Sequence, residues 1–428
     1  MESKKLKLYE GALCVNGKEN SIYVNMDNQT QLTVSNECIN IIEHMLKNKI
    51  SLIDMLEYFE EEEDRAYFEK LCKTLMGMGV LVEEERKYYY KGSDMVIYIN
   101  ITNQCNLRCL HCCFRAGEQQ GREDFSKEEL LRLMDEMIVL NPKCIILSGG
   151  EPLFRDDFYE VVSYLRKEYK KALYLMTNGT LIREKNIDFL CENFDGFDIS
   201  LDGYDENTVS QIRGKGVYEK VIRGITLIKE RAPEKEISLS MVETSITEGK
   251  SEEFYKLCEK LKVQSAVREL SLLGRARDNE KEMMIQNKSI LKWEEVWKTE
   301  DMGEAKRKIK LSTGSLLSAC PGGFTKFKIN YNGDIFPCPV LEQKEFVFGN
   351  FHQIINLKEF LEKRKFDTSE GYKNYSKYLP KNFEGCKDCN KKIYCLPCPM
   401  IMITEGKLSY KNPHCNFNRE AFDCIFEE

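Results

Sequence analysis

Three cysteines, Cys105, Cys109 and Cys112, stand within eight residues in the run Cys105-Asn106-Leu107-Arg108-Cys109-Leu110-His111-Cys112. Thiolate is a soft ligand that suits iron-sulfur clusters and zinc alike. Three thiolates cannot complete a tetrahedral zinc site, and they cannot hold all four irons of a cubane. One metal position is therefore left over for chemistry. A second field of cysteines lies toward the C-terminus: Cys320, Cys338, the run Cys386-x2-Cys389-x5-Cys395-x2-Cys398, and Cys415. Its two C-x2-C pairs would serve a four-thiolate zinc site as well as an iron-sulfur cluster.

The elements that must position the first loop read as α/β. Apolar strands are predicted at 95–101, 144–147, 172–176, 197–201, 237–242 and 267–273, separated by helical stretches at 127–140, 158–168, 185–192, 218–231 and 252–262. Six such units imply parallel strands with helices outside, a partial (β/α)6 relative of the TIM barrel. Functional residues then belong at the C-terminal strand ends, and the cysteine loop follows the first strand directly.

Residues 1–90 read differently, as a winged-helix-like α+β module. Short strands at 8–15, 21–26 and 31–34 precede helices that start after Ser35 and Ser51, a third helix at about 61–76, and a wing strand at 80–82. Over residues 1–87 there are 11 Lys/Arg and 17 Asp/Glu, a net of −6, which repels the phosphates of a nucleic acid. The whole chain, 428 residues with 18 cysteines and a net charge of −7, suggests two or three domains and no attraction to an anionic membrane. No apolar stretch approaches membrane-spanning length, and the N-terminus shows no secretion signal, so a cytoplasmic protein with reduced, metal-ligating thiols is expected. Only four histidines accompany those thiols. Residues 276–312 are charged and helix-prone, with Trp293 and Trp297 expected on the barrel. From Cys320 on, periodicity is weak and metal is expected to set the shape.

A C-x3-C-x2-C run after an apolar strand resembles the signature of the radical S-adenosylmethionine (radical SAM) enzymes. The resemblance implies that Cys105, Cys109 and Cys112 hold three irons of a 4Fe-4S cluster whose fourth iron binds SAM. Ser148-Gly149-Gly150-Glu151-Pro152 resembles the family's glycine-rich motif, which implies SAM-binding roles for Gly149, Gly150 and Glu151. Thr177-Asn178-Gly179 has the family's look at the third strand exit. By the same resemblance Ser200 and Asp202 take the ribose, Arg213 forks onto the SAM carboxylate, and His111 stacks on adenine. Leu273-Gly274-Arg275-Ala276 stands where such enzymes close around adenine, and Cys113 departs from the pattern. Such enzymes draw on an electron from a donor such as flavodoxin or ferredoxin to produce a 5'-deoxyadenosyl radical.

The C-terminal cysteines resemble the SPASM extension of peptide-modifying radical SAM enzymes, with one spacing of two residues where three is usual. Carried over by order, Cys386, Cys389, Cys395 and Cys415 hold a distal auxiliary 4Fe-4S cluster, and Cys320, Cys338 and Cys398 a proximal one, three clusters in all. The incomplete proximal set is filled either by Cys424 or by a cysteine of the substrate. The N-terminal module resembles a recognition element for the leader of a ribosomally made precursor peptide, which would add as a strand beside 30–34 and pack on 67–76. The expected organisation is leader recognition (1–90), partial barrel (91–275), bridging helices (276–312) and SPASM domain (313–428). The expected activity is an intramolecular crosslink, a thioether in preference to a carbon–carbon bond. A sulfatase-maturating type of protein oxidase and a zinc-stabilised winged-helix regulator are the alternatives.

Overall fold

The computed structural model describes residues 5–83 except 18, 27 and 29, then 90–118, 123–284 and 320–379, with the isolated positions 382, 399 and 403. These fall into two compact units, one holding 5–90 with 320–325 and 376–379, the other 91–284 with 326–375. Residues 285–319, with Trp293 and Trp297, lie outside the described residues, as do Cys386, Cys389, Cys395, Cys398, Cys415 and Cys424.

In the first unit β2 (Ala12–Val15), β3 (Asn20–Asn25) and β4 (Thr30–Ser35) form an antiparallel sheet in that order, while β1 (Leu6–Leu8) pairs with β5 (Leu81–Glu83). The expected single first strand is thus two, because a turn at Glu10-Gly11 sends Leu6–Leu8 to the wing strand instead. Ser35 caps α1 (Asn36–Lys47) by accepting from Cys38 N, and Ser51 caps α2 (Leu52–Leu56) by accepting from Asp54 N, as N-cap chemistry predicts. Ile39, Ile42 and Met45 on α1 and Phe68, Leu71, Cys72 and Leu75 on α3 (Glu62–Gly77) recur at helical spacing and close one apolar core.

The second unit is built on a nine-stranded sheet. Six strands run parallel: β6 (Val96–Asn100), β7 (Cys144–Ser148), β8 (Ala172–Thr177), β9 (Gly196–Ser200), β10 (Glu236–Glu243) and β11 (Gln264–Glu269). Between them come α4 (Lys127–Leu140), α5 (Phe158–Glu168), α6 (Ile187–Asn193), α7 (Glu206–Arg213), α8 (Val217–Arg231) and α9 (Ser251–Leu261), and after them α10 (Gly274–Asp278) and α11 (Glu280–Met283). Alternate strand residues, among them Ile97, Ile99, Ile145, Leu147, Leu173, Leu175, Phe197 and Ile199, are fully buried beneath apolar helix faces such as Leu130, Leu133, Met134 and Met137 of α4. This is the expected (β/α)6 half-barrel, with the sixth strand starting three residues earlier than the apolar pattern suggests.

The sheet does not stop there. β12 (Lys326–Ile329) pairs parallel to β6, and β13 (Asp334–Phe336) and β14 (Gly349–Asn350) continue it antiparallel. Phe327, Phe348, Phe360, Phe366 and Tyr372 pack together, the Phe348 and Phe366 rings stacked at 4.8 Å, alongside α12 (Leu357–Glu362) and α13 (Glu370–Ser376). The stretch 326–375 is thus held by strand pairing and an aromatic core, which corrects the expectation that metal alone shapes the chain beyond Cys320. No helix among the described residues is long and apolar enough to cross a membrane. Phe366→Ala is expected to cost about 3–5 kcal/mol, read as a fall in the urea midpoint.

Candidate functional site

The cysteine loop leaves β6 and is pinned on one side by β7. Gly150 N donates to Thr102 O at 2.8 Å and Glu151 N to Gln104 O at 2.8 Å. The backbones lie so close that a Cβ on Gly149, whose φ is +146°, would stand 2.3 Å from Thr102 O, and one on Gly150 would stand 2.2 Å from Gln104 O. The glycine pair therefore permits close approach of two chain segments. Thr102 is itself held by a short hydrogen bond from its hydroxyl to Asp124, which also accepts from Asn103 N at 2.9 Å.

From the other side Arg275 grips the loop. Its N donates to Cys112 O at 2.9 Å, its Nε to Cys109 O at 3.0 Å, and its Nη1 to Ala116 O at 3.0 Å. Asn279 Nδ2 adds Leu110 O at 3.0 Å, and Leu110 N donates to Ile212 O at 3.0 Å. A Cβ on Gly274 would lie 2.5 Å from Cys113 O. The 273–276 segment thus backs the loop, and neither Arg275 nor Asn279 carries a sequence signal for that task.

The three thiols are unpaired with one another. Cys105 Sγ accepts from Leu107 N at 3.4 Å and Asn178 Nδ2 at 3.9 Å, and Cys112 Sγ from Ala116 N at 3.4 Å. Burial pushes the Cys109 thiol up to about 11, against the pull of Arg213. Metal must therefore displace protons here. Among the described residues no three His, Cys, Asp or Glu side chains converge as for a single ion. Three soft donors on one fixed loop fit a multinuclear cluster that takes each sulfur on its own iron.

Asp202 carries the densest polar contacts in the site. It follows β9 in a left-handed conformation at φ 58° and is 1% exposed. Its Oδ1 accepts from Val242 N at 2.6 Å, and its Oδ2 from Arg213 Nε at 2.5 Å, from Arg213 Nη2, and from His111 Nε2 at 2.8 Å. Burial alone would raise its pKa, but Arg213, His111 and the Val242 N–H outweigh it and hold the carboxyl far below the usual range. His111 Nδ1 is buried with no hydrogen-bond partner among the described residues. Arg213 ends α7, a helix the sequence reading missed, and its guanidinium is already bound to Asp202. Asp202 thus has both oxygens engaged by protein groups, and the Arg213 guanidinium is tied to one of them. Ser200, half-buried at the end of β9, accepts from Ser240 Oγ at 3.5 Å.

Glu151 is fully buried and accepts from Thr177 Oγ1 at 2.7 Å, Asn178 N at 2.8 Å and Leu153 N at 3.1 Å. Burial raises its pKa despite these donors. It ties the β7 exit to the β8 exit, and Asn178 passes the tie to the cysteine loop through Asn106 Oδ1 at 2.9 Å. Cys113 is likewise pushed up by burial, with Lys328 as the opposing charge. Cys320 and Cys338 are half-buried.

The radical SAM superfamily model matches residues 99–274, and the SPASM iron-sulfur cluster-binding domain matches residues 320–390. The chain is an enzyme with a radical SAM domain and a SPASM domain. The first domain implies SAM and a 4Fe-4S cluster, the second further iron-sulfur clusters. The chain is 34% identical over 139 residues to an Fe-coproporphyrin III synthase of Methanosarcina barkeri, covering 32% of this chain and 34% of that protein. It therefore spans only about a third of the length of that curated relative. To the mycofactocin maturase MftC of Mycolicibacterium smegmatis it is 24% identical over 273 residues, 61% of this chain and 69% of that one. The fold is similar to that of Streptococcus suis SuiB, solved with its precursor peptide SuiA, at a TM-score of 0.55 and 15% identity over 96% of this chain and 99% of that one.

Gly150→Ala is expected to push the radical SAM domain's cysteine loop off β7 at a cost of about 1–3 kcal/mol, seen as less iron and sulfide per chain after anaerobic reconstitution. The depressed pKa of Asp202 gives stability that is present above the unfolded value of about 3.9 and lost as pH falls through the folded one. Asp202→Asn should thus melt lower than wild type at pH 7, with the difference shrinking below about pH 4.

Proposed function

We propose that this enzyme matures a ribosomally made precursor peptide by installing an intramolecular crosslink, a thioether in preference to a carbon–carbon bond. The observation that carries the reading is the free edge of β4 in an acidic N-terminal module. Among the described residues β4 pairs only with β3, so its outer N–H and C=O groups are open to an added strand. The strand is anchored where α3 ends, through Thr30 Oγ1 donating to Met78 O at 3.3 Å and Asn28 Nδ2 to Met78 O at 2.9 Å. The likeness to SuiB, solved with a precursor peptide, runs over 96% of the chain, and the MftC match is to another maturase.

In this reading Cys105, Cys109 and Cys112 hold the SAM-binding cluster, and the SPASM cysteines hold two auxiliary 4Fe-4S clusters. With SAM bound, such a cluster supplies a 5'-deoxyadenosyl radical that takes hydrogen from the substrate. The chain's own residues supply position. Arg275 and the glycine pair fix the loop, and the Asp202–Arg213 pair keeps a charged guanidinium beside Cys109. His111, turned by Asp202 so that Nδ1 is unspent, offers that nitrogen to the cofactor, and Ser200 offers its hydroxyl to the ribose. A flavodoxin or ferredoxin supplies the electron in a cytoplasmic setting, with neither nucleic acid nor membrane as partner.

Anaerobic coexpression with each small reading frame that sequencing finds beside its gene, taken as the candidate precursor, tests this. The peptide should lose two hydrogens per link, and a thioether should leave the joined cysteine closed to alkylation. An unchanged peptide mass would sink the reading.

A further inference from the structure

A closed eight-stranded barrel fills its interior with branched aliphatic side chains. In this half-barrel the outer face buries Ile97, Phe197, Ile199 and Leu239, which are at most 1% exposed. Strand alternation puts Tyr98, Tyr174, Asp198, Glu236, Arg268 and Lys326 on the opposite, inner face. That face sets these polar groups among Val96, Ile146, Met176 and Val242, and most of its charge is matched. Arg268 Nη2 donates to Asp198 Oδ2 at 2.7 Å, and Tyr174 hydroxyl to Glu236 Oε2 at 2.6 Å.

Two groups are left over. Asp198 Oδ1 is buried and accepts no hydrogen bond among the described residues. Lys326 is half-buried, its Nζ 6.0 Å from the centre of the Tyr98 ring, and has no carboxylate partner among the described residues. Tyr98 feels both Arg268 and Asp198, and burial pushes its hydroxyl up to about 12, so it stays a neutral donor beside them. A buried acceptor without a donor is a cost that a ligand can remove.

We propose that Asp198 and Lys326 are a substrate-binding pair on the inner wall of the half-barrel, which takes an extended stretch of peptide backbone. Asp198 Oδ1 accepts from an amide N–H, and Lys326 Nζ donates to a carbonyl. The proposal rests on the peptide reading above. Arg268 already neutralises the Asp198 carboxylate, so the spare oxygen suits a neutral donor better than a second full cation. One acceptor and one donor match the paired groups every peptide unit carries, whatever its side chains.

The test uses the full-length protein, reconstituted anaerobically, and the synthetic peptide encoded by the candidate precursor frame. Asp198→Ala and Lys326→Met should each raise KM about ten-fold, with a smaller change in kcat. Asp198→Asn, which can keep an amide oxygen in place, should recover part of the Asp198→Ala loss. Iron content and melting temperature should match wild type in all three. An unchanged KM in Asp198→Ala and Lys326→Met, with wild type active, would overturn the pair and leave the peptide reading standing. Loss of iron together with an equal loss of kcat would overturn it in favour of a structural role. A wild type that neither binds nor alters the peptide overturns the peptide reading and this pair with it.

Discussion

Two backbone hydrogen bonds between the exits of β6 and β7 decide where the cysteine loop starts, and much of the radical SAM domain's mouth is arranged around them. They require main chains to touch, so neither Gly149 nor Gly150 can carry a side chain. Once the start of the loop is set, Arg275 can satisfy carbonyls at Cys109, Cys112 and Ala116 from the far side. A loop of this kind has no internal ladder for its backbone groups, and borrowed donors hold it rigid enough to present sulfurs.

Charge at the mouth obeys a second constraint. A carboxylate as buried as Asp202 is tolerated only when its charge is matched and its oxygens are hydrogen-bonded. Arg213, His111 and Val242 do both, which joins the exit of β9, the end of α7, β10 and the cysteine loop in one network. Arg213 is thereby kept charged next to a cysteine whose thiol burial would otherwise raise further.

Much of this was legible in the sequence because it rests on periodicity or on local chemistry. Alternation and helical spacing give the six parallel strands and most of their helices, Ser35 and Ser51 announce α1 and α2, and the cysteine spacing with Gly149-Gly150 marks the mouth. What escaped depends on contacts distant in the chain. Arg275 and Asn279 act on carbonyls about 160–170 positions earlier, a contact that no local pattern announces. The partner of Arg213 follows from a left-handed turn at Asp202, which no spacing encodes. β12 has only four residues, two of them lysines, and becomes a strand because β6 offers it an edge.

That last pairing has a consequence for how the molecule can be divided. β6 is covered on one side by β7 and on the other by β12, which lies within the stretch matching the SPASM domain. A chain ending after the sixth parallel strand would expose a bare row of β6 amides and carbonyls beside the cysteine loop, a surface that invites another chain to pair with it. The two matched domains are thus successive in sequence but share a seam, and the radical SAM half has one edge of its first strand covered by the other.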